Sequence, residues 1–359
     1  MKSLKLAIIA TTLVALTSCD KVSFTGILIG NTGVDDRVEM SYAYNISLGD
    51  AHRHYKLLEA KPDGSYSYLI GSDSHMIDDP GRICEMMNIM LTDDDLFCAH
   101  LGDVVDTKPE YYAILKASFK VYKDLYYITK KGYVPDSISD ETKYVWKRPS
   151  HENPDSMVIV GNDELETMEF PFYATVGNHD LTHNGWTLFA DVFHSSFYQA
   201  LVLVQDEGMN NWKVDRHIFL DSANGTLGQY QIDLLDGPDP FVEELGSLGV
   251  RFSYRNTYVY THSNLFRPTS DEFASTYARE ELYYLLNKFA DWNVNTVFMG
   301  HVHKWDERYF GGVHYVTLDA MSERNSPEPG DYLVRVNVDP DGNTSISKVH
   351  MDYVSPKKK

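Results

Sequence analysis

Three kinds of feature are scarce in this 359-residue chain: cysteine, positive charge and long apolar runs. Only Cys19, Cys84 and Cys98 are present, and 32 lysines and arginines face 52 aspartates and glutamates, a formal net charge of −20. A polyanion would meet long-range repulsion over most of such a surface, which argues against nucleic acid as a partner. A small phosphate ester stays open, because bound cations can make a local positive patch. Beyond Cys19 no stretch approaches eighteen consecutive apolar residues, so no part of the body is expected to cross a membrane. No internal repeat is visible, and the one low-complexity tract is the terminal PKKK. Length permits one large domain or two, and the motif spacing below favours one.

The first residues, MKSLKLAIIATTLVALTSC, set Lys2 and Lys5 before an apolar run from Leu6 to Leu16, the pattern of a secretory signal and too short to span a bilayer. Leu16-Thr17-Ser18-Cys19 resembles a bacterial lipobox, in which residues 1–18 are removed and Cys19 is lipidated. The expectation is an exported lipoprotein, anchored to a membrane at the periplasm or cell surface; an ordinary signal peptide with a chance cysteine is the alternative. Cys84 and Cys98 then remain, each among apolar residues in GRICEMMNIM and LFCAHLGD. They read as small buried hydrophobes, with a disulfide left open.

Residues 19–64 read as a polar lead-in, with RVEMSYAYNI its best strand candidate, before a domain over 65–355. Residues 66–71 are predicted as a strand and DDPGRICEMMNIML as a helix, with Pro80 near its start where proline is tolerated. DDLFCAHLGDVVD, EFPFYATVGNHD, HIFLDSANGTLG, NTYVYTHSN and NTVFMGHVHK each pair an apolar run with Asp, Asn or His at its C-terminal end. In open α/β sheets ligands bind just outside the carboxyl ends of the strands, so one cleft could gather these groups. In REELYYLLNKFADW, Leu282, Leu285, Leu286 and Phe289 fall at i, i+3, i+4 and i+7, a helix that Ser270 or Asp271 could cap. Alternation of this kind argues α/β architecture. Residues 107–170 interrupt it with a Tyr-rich amphipathic stretch and then a polar one. A helical insertion is expected there, as a cap or rim beside the cleft or as a helix on the sheet's flank. Trp186 to Asp215, with Phe193, His194, Phe197, Tyr198 and Trp212, is a candidate second wall. The tyrosine excess, 25 residues, reads as pocket lining or as packing.

Taken singly, D-x-H, G-D-x-x-D, G-N-H-D, a strand-end His and G-H-x-H are weak signals. In order, Asp73-x-His75, Gly102-Asp103-x-x-Asp106, Gly177-Asn178-His179-Asp180, His262 and Gly300-His301-x-His303 resemble the calcineurin-like metallophosphoesterase family over roughly residues 66–320. The resemblance implies a four-layer α/β/β/α sandwich of two mixed sheets. It also implies two divalent ions, with Asp73, His75 and His303 on the first, Asn178, His262 and His301 on the second, and Asp103 bridging them. A bridging anion answers the mutual repulsion of two close cations. Oxygen and imidazole donors without thiolate suit Mn, Fe or Zn. In Asp73-x-His75 an extended backbone would point i and i+2 to one side.

In that family a hydroxide between the metals attacks phosphorus and hydrolyses a phosphomonoester or phosphodiester. His179 matches the family's histidine expected to stabilise or protonate the leaving oxygen, and Asp106 the carboxylate expected to orient it. Asp180 is expected to serve structure. Keeping His75 and Asp106 separates the chain from purple acid phosphatases, which lack that histidine and place a tyrosine at the second position. FLDSANGTLGQYQIDLL is loosely similar to a segment of cyclic-nucleotide phosphodiesterase-like members. His100 reads as core or as support for the site, and His52, His54, His183, His194, His217 and His314 as surface or satisfied core groups. A pyrophosphatase or nuclease with the same metals, and an inert ligand-binding lipoprotein, are the alternative functions.

Overall fold

The computed structural model describes residues 33–47, 56–106, 108–137, 144–150, 152–161, 169–206, 208, 211–237, 249–266, 277 and 279–354. In chain order the elements begin with α1 (Val34–Ser47), β1 (Lys56–Glu59), β2 (Tyr66–Gly71), α2 (Gly81–Thr92), β3 (Cys98–His100) and α3 (Pro109–Lys131). A set of short strands follows, β4 (Val134–Ser137), β5 (Tyr144–Pro149), β6 (Met157–Ile159) and β7 (Phe172–Ala174). After a 3₁₀ turn at His179–Asn184 come α4 (Gly185–Phe193), β8 (Tyr198–Asp206), β9 (Asn211–Leu220), α5 (Gly228–Asp236) and β10 (Arg251–Thr261). The remainder is α6 (Arg279–Asp291), β11 (Thr296–Met299), β12 (Asp306–Phe310), β13 (Val313–Thr317), β14 (Gly330–Val338) and β15 (Thr344–Met351).

Two mixed sheets face one another. One has five strands in the order β15-β14-β2-β3-β7, the other seven in the order β1-β8-β9-β10-β11-β13-β12. The strands that carry the motifs pair in parallel, β2 with β3 and β3 with β7 in the first sheet, β9 with β10 and β10 with β11 in the second. Parallel pairing sends their C-terminal ends the same way. Between the sheets lies an aromatic core in which Tyr68, Phe97, Phe219, Tyr258 and Tyr260 are all fully buried. The outer face of the five-stranded sheet is covered by α2, α3 and α4, and that of the seven-stranded sheet by α1, α5 and α6. The fold is thus the four-layer α/β/β/α arrangement expected. Burial on both faces explains why β3, β7 and β11 are largely apolar, His100 in β3 and Thr296 in β11 being the exceptions.

The lead-in departs from its expected form: RVEMSYAYNI belongs to helix α1. Val34, Val38 and Ser41, at i, i+4 and i+7, are buried, so the helical period decides over the local alternation. Arg37, fully buried, grips Asp221 with Nε and a terminal nitrogen at 2.8 and 2.7 Å, which locks α1 to the segment after β9. In the insertion, α3 packs on the sheet's flank against α2 and α4, with Tyr112 and Leu115 buried. The polar stretch after it holds a separate three-stranded sheet, β4-β5-β6. Gly132, at φ 68°, ends α3 in the left-handed turn typical of a helix C-terminus. Cys84 and Cys98 are both unbridged, Cys98 buried and Cys84 half-buried. Residues 1–32, with the lipobox and Cys19, His52 and His54, the proposed cap at Ser270 or Asp271, and the PKKK tail lie outside the described residues. No helix among the described residues is long and apolar enough to cross a membrane.

Candidate metal centre

Five strand ends deliver the site: Asp73 and His75 follow β2, Asp103 follows β3, Asn178 and His179 follow β7, His262 follows β10, and His301 and His303 follow β11. The expected extended geometry at Asp73-x-His75 is overturned. Asp73, His75, Asp103, His301 and His303 all adopt positive φ, between 41° and 71°. At these residues the regular strand backbone is interrupted by single left-handed residues, so the donors are not set by the two-residue alternation of an extended strand. Such a conformation costs an L-residue about 1–2 kcal/mol, and Asp and His tolerate it better than branched residues.

The turns are tied to one another. Asp73 and His75 donate their N–H groups to Gly102 and Asp103 carbonyls at 3.1 and 2.9 Å, and Met76 donates to Val104 at 3.0 Å, which continues the β2–β3 pairing past both strand ends. Gly177 is needed by close approach: a Cβ there would lie 2.2 Å from the Asp103 nitrogen and from its Oδ1. Asp180, fully buried, accepts N–H bonds from Gly177, Val104 and Val105 and the hydroxyl of Tyr112. It clamps the G-D and G-N turns together, in keeping with the structural part expected of it, and burial pushes its carboxyl up to about 6.

Two donor groups share one carboxylate. Asp73, His75, Asp103 and His303 offer ligand atoms that all lie within 4.8 Å of one another, and so do Asp103, His262 and His301. In the first group His303 Nε2 lies 3.2 Å from Asp73 Oδ1 and 3.1 Å from His75 Nε2. In the second, His262 Nε2 lies 3.5 Å from Asp103 Oδ2, 3.2 Å from His301 Nδ1 and 3.0 Å from the Asn178 Oδ1. A third set, His75, Asp106 and His179, adjoins the first. His179 Nδ1 sits 3.6 Å from Asp106 Oδ1, its side chain 46% exposed, and the backbone N–H of His179 donates to Asp103 Oδ1 at 2.7 Å.

The donor chemistry fits divalent cations. Burial holds His262 down at about 3 and His75 at about 4, and lowers His301, so these rings are neutral and carry lone pairs at ordinary pH. Burial and the neighbouring Asp73 charge push the Asp103 carboxyl up, which marks a buried pair of acids that a cation would stabilise. His303 alone is raised, burial being outweighed by the Asp73 carboxylate beside it.

Several supporting groups had no signal in the sequence reading. His262 Nδ1 is 2.8 Å from the Leu101 carbonyl, which fixes its N–H there and turns Nε2 to the centre. The Ser222 hydroxyl accepts the N–H groups of His262 and Ser263 at 3.1 and 3.0 Å, giving the FLDSANG segment its part in the site. The Asn325 amide lies 2.9 Å from His303 Nδ1. Among the remaining histidines, His217 is fully buried between the sheets, bonded to Tyr66 and Tyr260 hydroxyls at 3.1 and 2.8 Å. His100 is fully buried, with no hydrogen-bond partner for either nitrogen among the described residues. His194 stacks on Tyr44 and His314 pairs with Glu307. His183 lies in the 3₁₀ turn at φ 51°.

The layering and the donors at the strand ends agree with the calcineurin-like metallophosphoesterase resemblance carried by the motifs. No family model matches the chain, and no curated protein matches it. Solved structures similar to it include GAP50, the anchor in the inner membrane complex of Plasmodium, at 11% identity and TM-score 0.42, covering 81% of this chain and 90% of that one. A dimetal phosphatase from Danio rerio is 10% identical, with TM-score 0.34, over 76% of this chain and 92% of that one. A protein serine/threonine phosphatase from Saccharomyces cerevisiae with similarity to human phosphatase PP5 is 12% identical, with TM-score 0.38, over 93% and 95%. Likeness at this level says nothing of substrate or partner.

Proposed function

We propose that the chain is a metal-dependent hydrolase of small phosphomonoesters or phosphodiesters. The observation that carries the reading is the sharing of Asp103 by two separate groups of carboxylate and imidazole donors, all buried except the partly exposed His301 and His303. Asp73, His75 and His303 would hold one ion, Asn178, His262 and His301 the other, with Asp103 common to both. Two divalent ions, Mn, Fe or Zn, would supply Lewis acidity towards the phosphoryl oxygens and an acidified water as nucleophile.

The chain's own residues do the rest. With Nδ1 of His179 turned to Asp106, Nε2 is the nitrogen that would carry a proton to the leaving oxygen. The backbone N–H of His179, donated to Asp103 Oδ1, couples the position of this acid to the shared carboxylate. Asp180 and Ser222 keep the turns rigid, so the donors need little rearrangement on binding. The acidic surface favours a small ester over a long polyanion.

Full-length protein reconstituted with Mn or Zn, assayed against aryl phosphomonoesters and phosphodiesters, tests the activity. Asp103→Ala should abolish turnover and reduce the bound metal from two ions per chain. Two ions and unchanged turnover in that variant would sink the assignment. We further propose that the protein is exported and lipid-anchored through Cys19, on the strength of the lipobox. Cys19→Ser should move it from the membrane fraction to the soluble fraction, and unaltered fractionation would rule the anchor out.

A further inference from the structure

Away from the donor turns, a cavity of about 670 Å³ opens between α3, α4 and β7, the edge strand of the five-stranded sheet. None of the strand-end donors lines it. The volume is that of a small-molecule site, for which roughly 300–1,000 Å³ is usual. Its floor is aromatic: Phe119 of α3 meets Phe172 of β7 and Phe193 of α4 edge-to-face, with ring centres 4.7 and 5.3 Å apart. Such a floor accepts an apolar body without asking for hydrogen bonds.

The mouth has a different character. Lys116, Lys120 and Lys123 stand at i, i+4 and i+7 of α3, so one face of the helix presents all three to the cavity. Two carboxylates oppose them, Asp191, which takes Lys116 at 2.7 Å, and Glu169. Asp124, next along α3, also acts on Lys120 and Lys123, so three lysines face three acids and the edge is locally balanced within a chain of net charge −20. Lys123 is half-buried beside the aromatic floor, and desolvation depresses its ammonium. A carboxylate reaching it would offset that desolvation. Lys120 is exposed at the same edge.

We propose that this cavity binds an amphipathic carboxylate, a medium-chain fatty acid or an arylalkanoate, with its apolar body on the Phe119–Phe172–Phe193 floor and its carboxylate at Lys120 and Lys123. The floor sets the affinity for the body, and the lysine edge selects an anion over a neutral or cationic head. Ala117, exposed on α3 at the mouth, is where a bulky side chain would close the cavity without entering the core.

Titration calorimetry of the full chain with dodecanoate, dodecanol and dodecyltrimethylammonium, all below their aggregation concentrations, tests this. The expected result is one dodecanoate per chain, bound at least tenfold more tightly than dodecanol, with no binding of the cation. Ala117→Trp should abolish dodecanoate binding. The Lys120→Gln/Lys123→Gln pair should weaken dodecanoate about tenfold and leave dodecanol unchanged. The proposal is overturned by absence of saturable binding, by equal affinity for dodecanoate and dodecanol, or by dodecanoate binding that survives Ala117→Trp.

Discussion

His179 and Asp106 present the sharpest question at the scale of the single residue. Neither belongs to the two groups that share Asp103, yet their side chains are 3.6 Å apart beside His75. If His179 protonates the leaving oxygen, His179→Asn should lower kcat by about 10²–10⁴ on an alkyl phosphate, whose leaving group needs the proton. The loss should be far smaller on a nitrophenyl ester, whose leaving group does not. Equal losses on both would count against proton donation. Asp106→Asn should cost roughly 10–100-fold with the same dependence on leaving group, as expected for a partner that orients the imidazole. The donors were legible in sequence because the order of five motifs, each weak alone, resembles a known family whose ligands they match by position. The Leu101 carbonyl, Ser222 and Asn325 were not, since a backbone acceptor or a lone hydroxyl looks the same wherever it occurs.

At the scale of elements, α1 shows how a buried ion pair can decide where a segment docks. Arg37 and Asp221 are both fully buried, and Asp221 also accepts the Ser196 hydroxyl at 2.7 Å. Arg37→Ala would strand the Asp221 carboxylate, at a cost of about 3–5 kcal/mol. Arg37→Met combined with Asp221→Leu should recover much of that, since removing both charges leaves neither unpaired. Chemical denaturation of the three proteins checks this; a single variant as stable as the parent would show that the pair contributes little. The same element explains the misread strand. RVEMSYAYNI alternates locally, but its burial is set by contacts with α5 and with a segment some 180 residues away, which no local window contains. The donor turns are a parallel case: their left-handed backbone comes from close packing of one turn on another, as Gly177 on Asp103 shows.

For the molecule as a whole, His217 joins the two sheets, hydrogen-bonded to Tyr66 from one and Tyr260 from the other. Burial holds its pKa at about 3, against 6.5 for an ordinary histidine. The folded chain therefore keeps the ring neutral where the unfolded chain binds a proton. Stability from this group is complete above pH ~6.5 and is lost as pH falls towards 3, at about 1.4 kcal/mol per pH unit. Between pH 6.5 and 4.5 His217→Asn should lose about 2–3 kcal/mol less than the parent in denaturant titrations. Parallel curves for the two proteins would refute the linkage. The other buried histidines act in the same direction in both proteins, so the difference isolates His217.

Sequence alone determined the alternation of strands and helices, the identity and order of the donor groups, and the acidic surface. The first and last are written in residue type and local period and the donors in the order of short motifs, and none of the three requires knowledge of distant neighbours. Tertiary structure decided that α1 is a helix, that α3 lies on the sheet's flank, that donors sit on left-handed backbone, and that a cavity edged with lysines opens beside β7. Those outcomes depend on which surfaces meet across the fold, and contacts between segments far apart in the chain leave no mark in any one stretch of it.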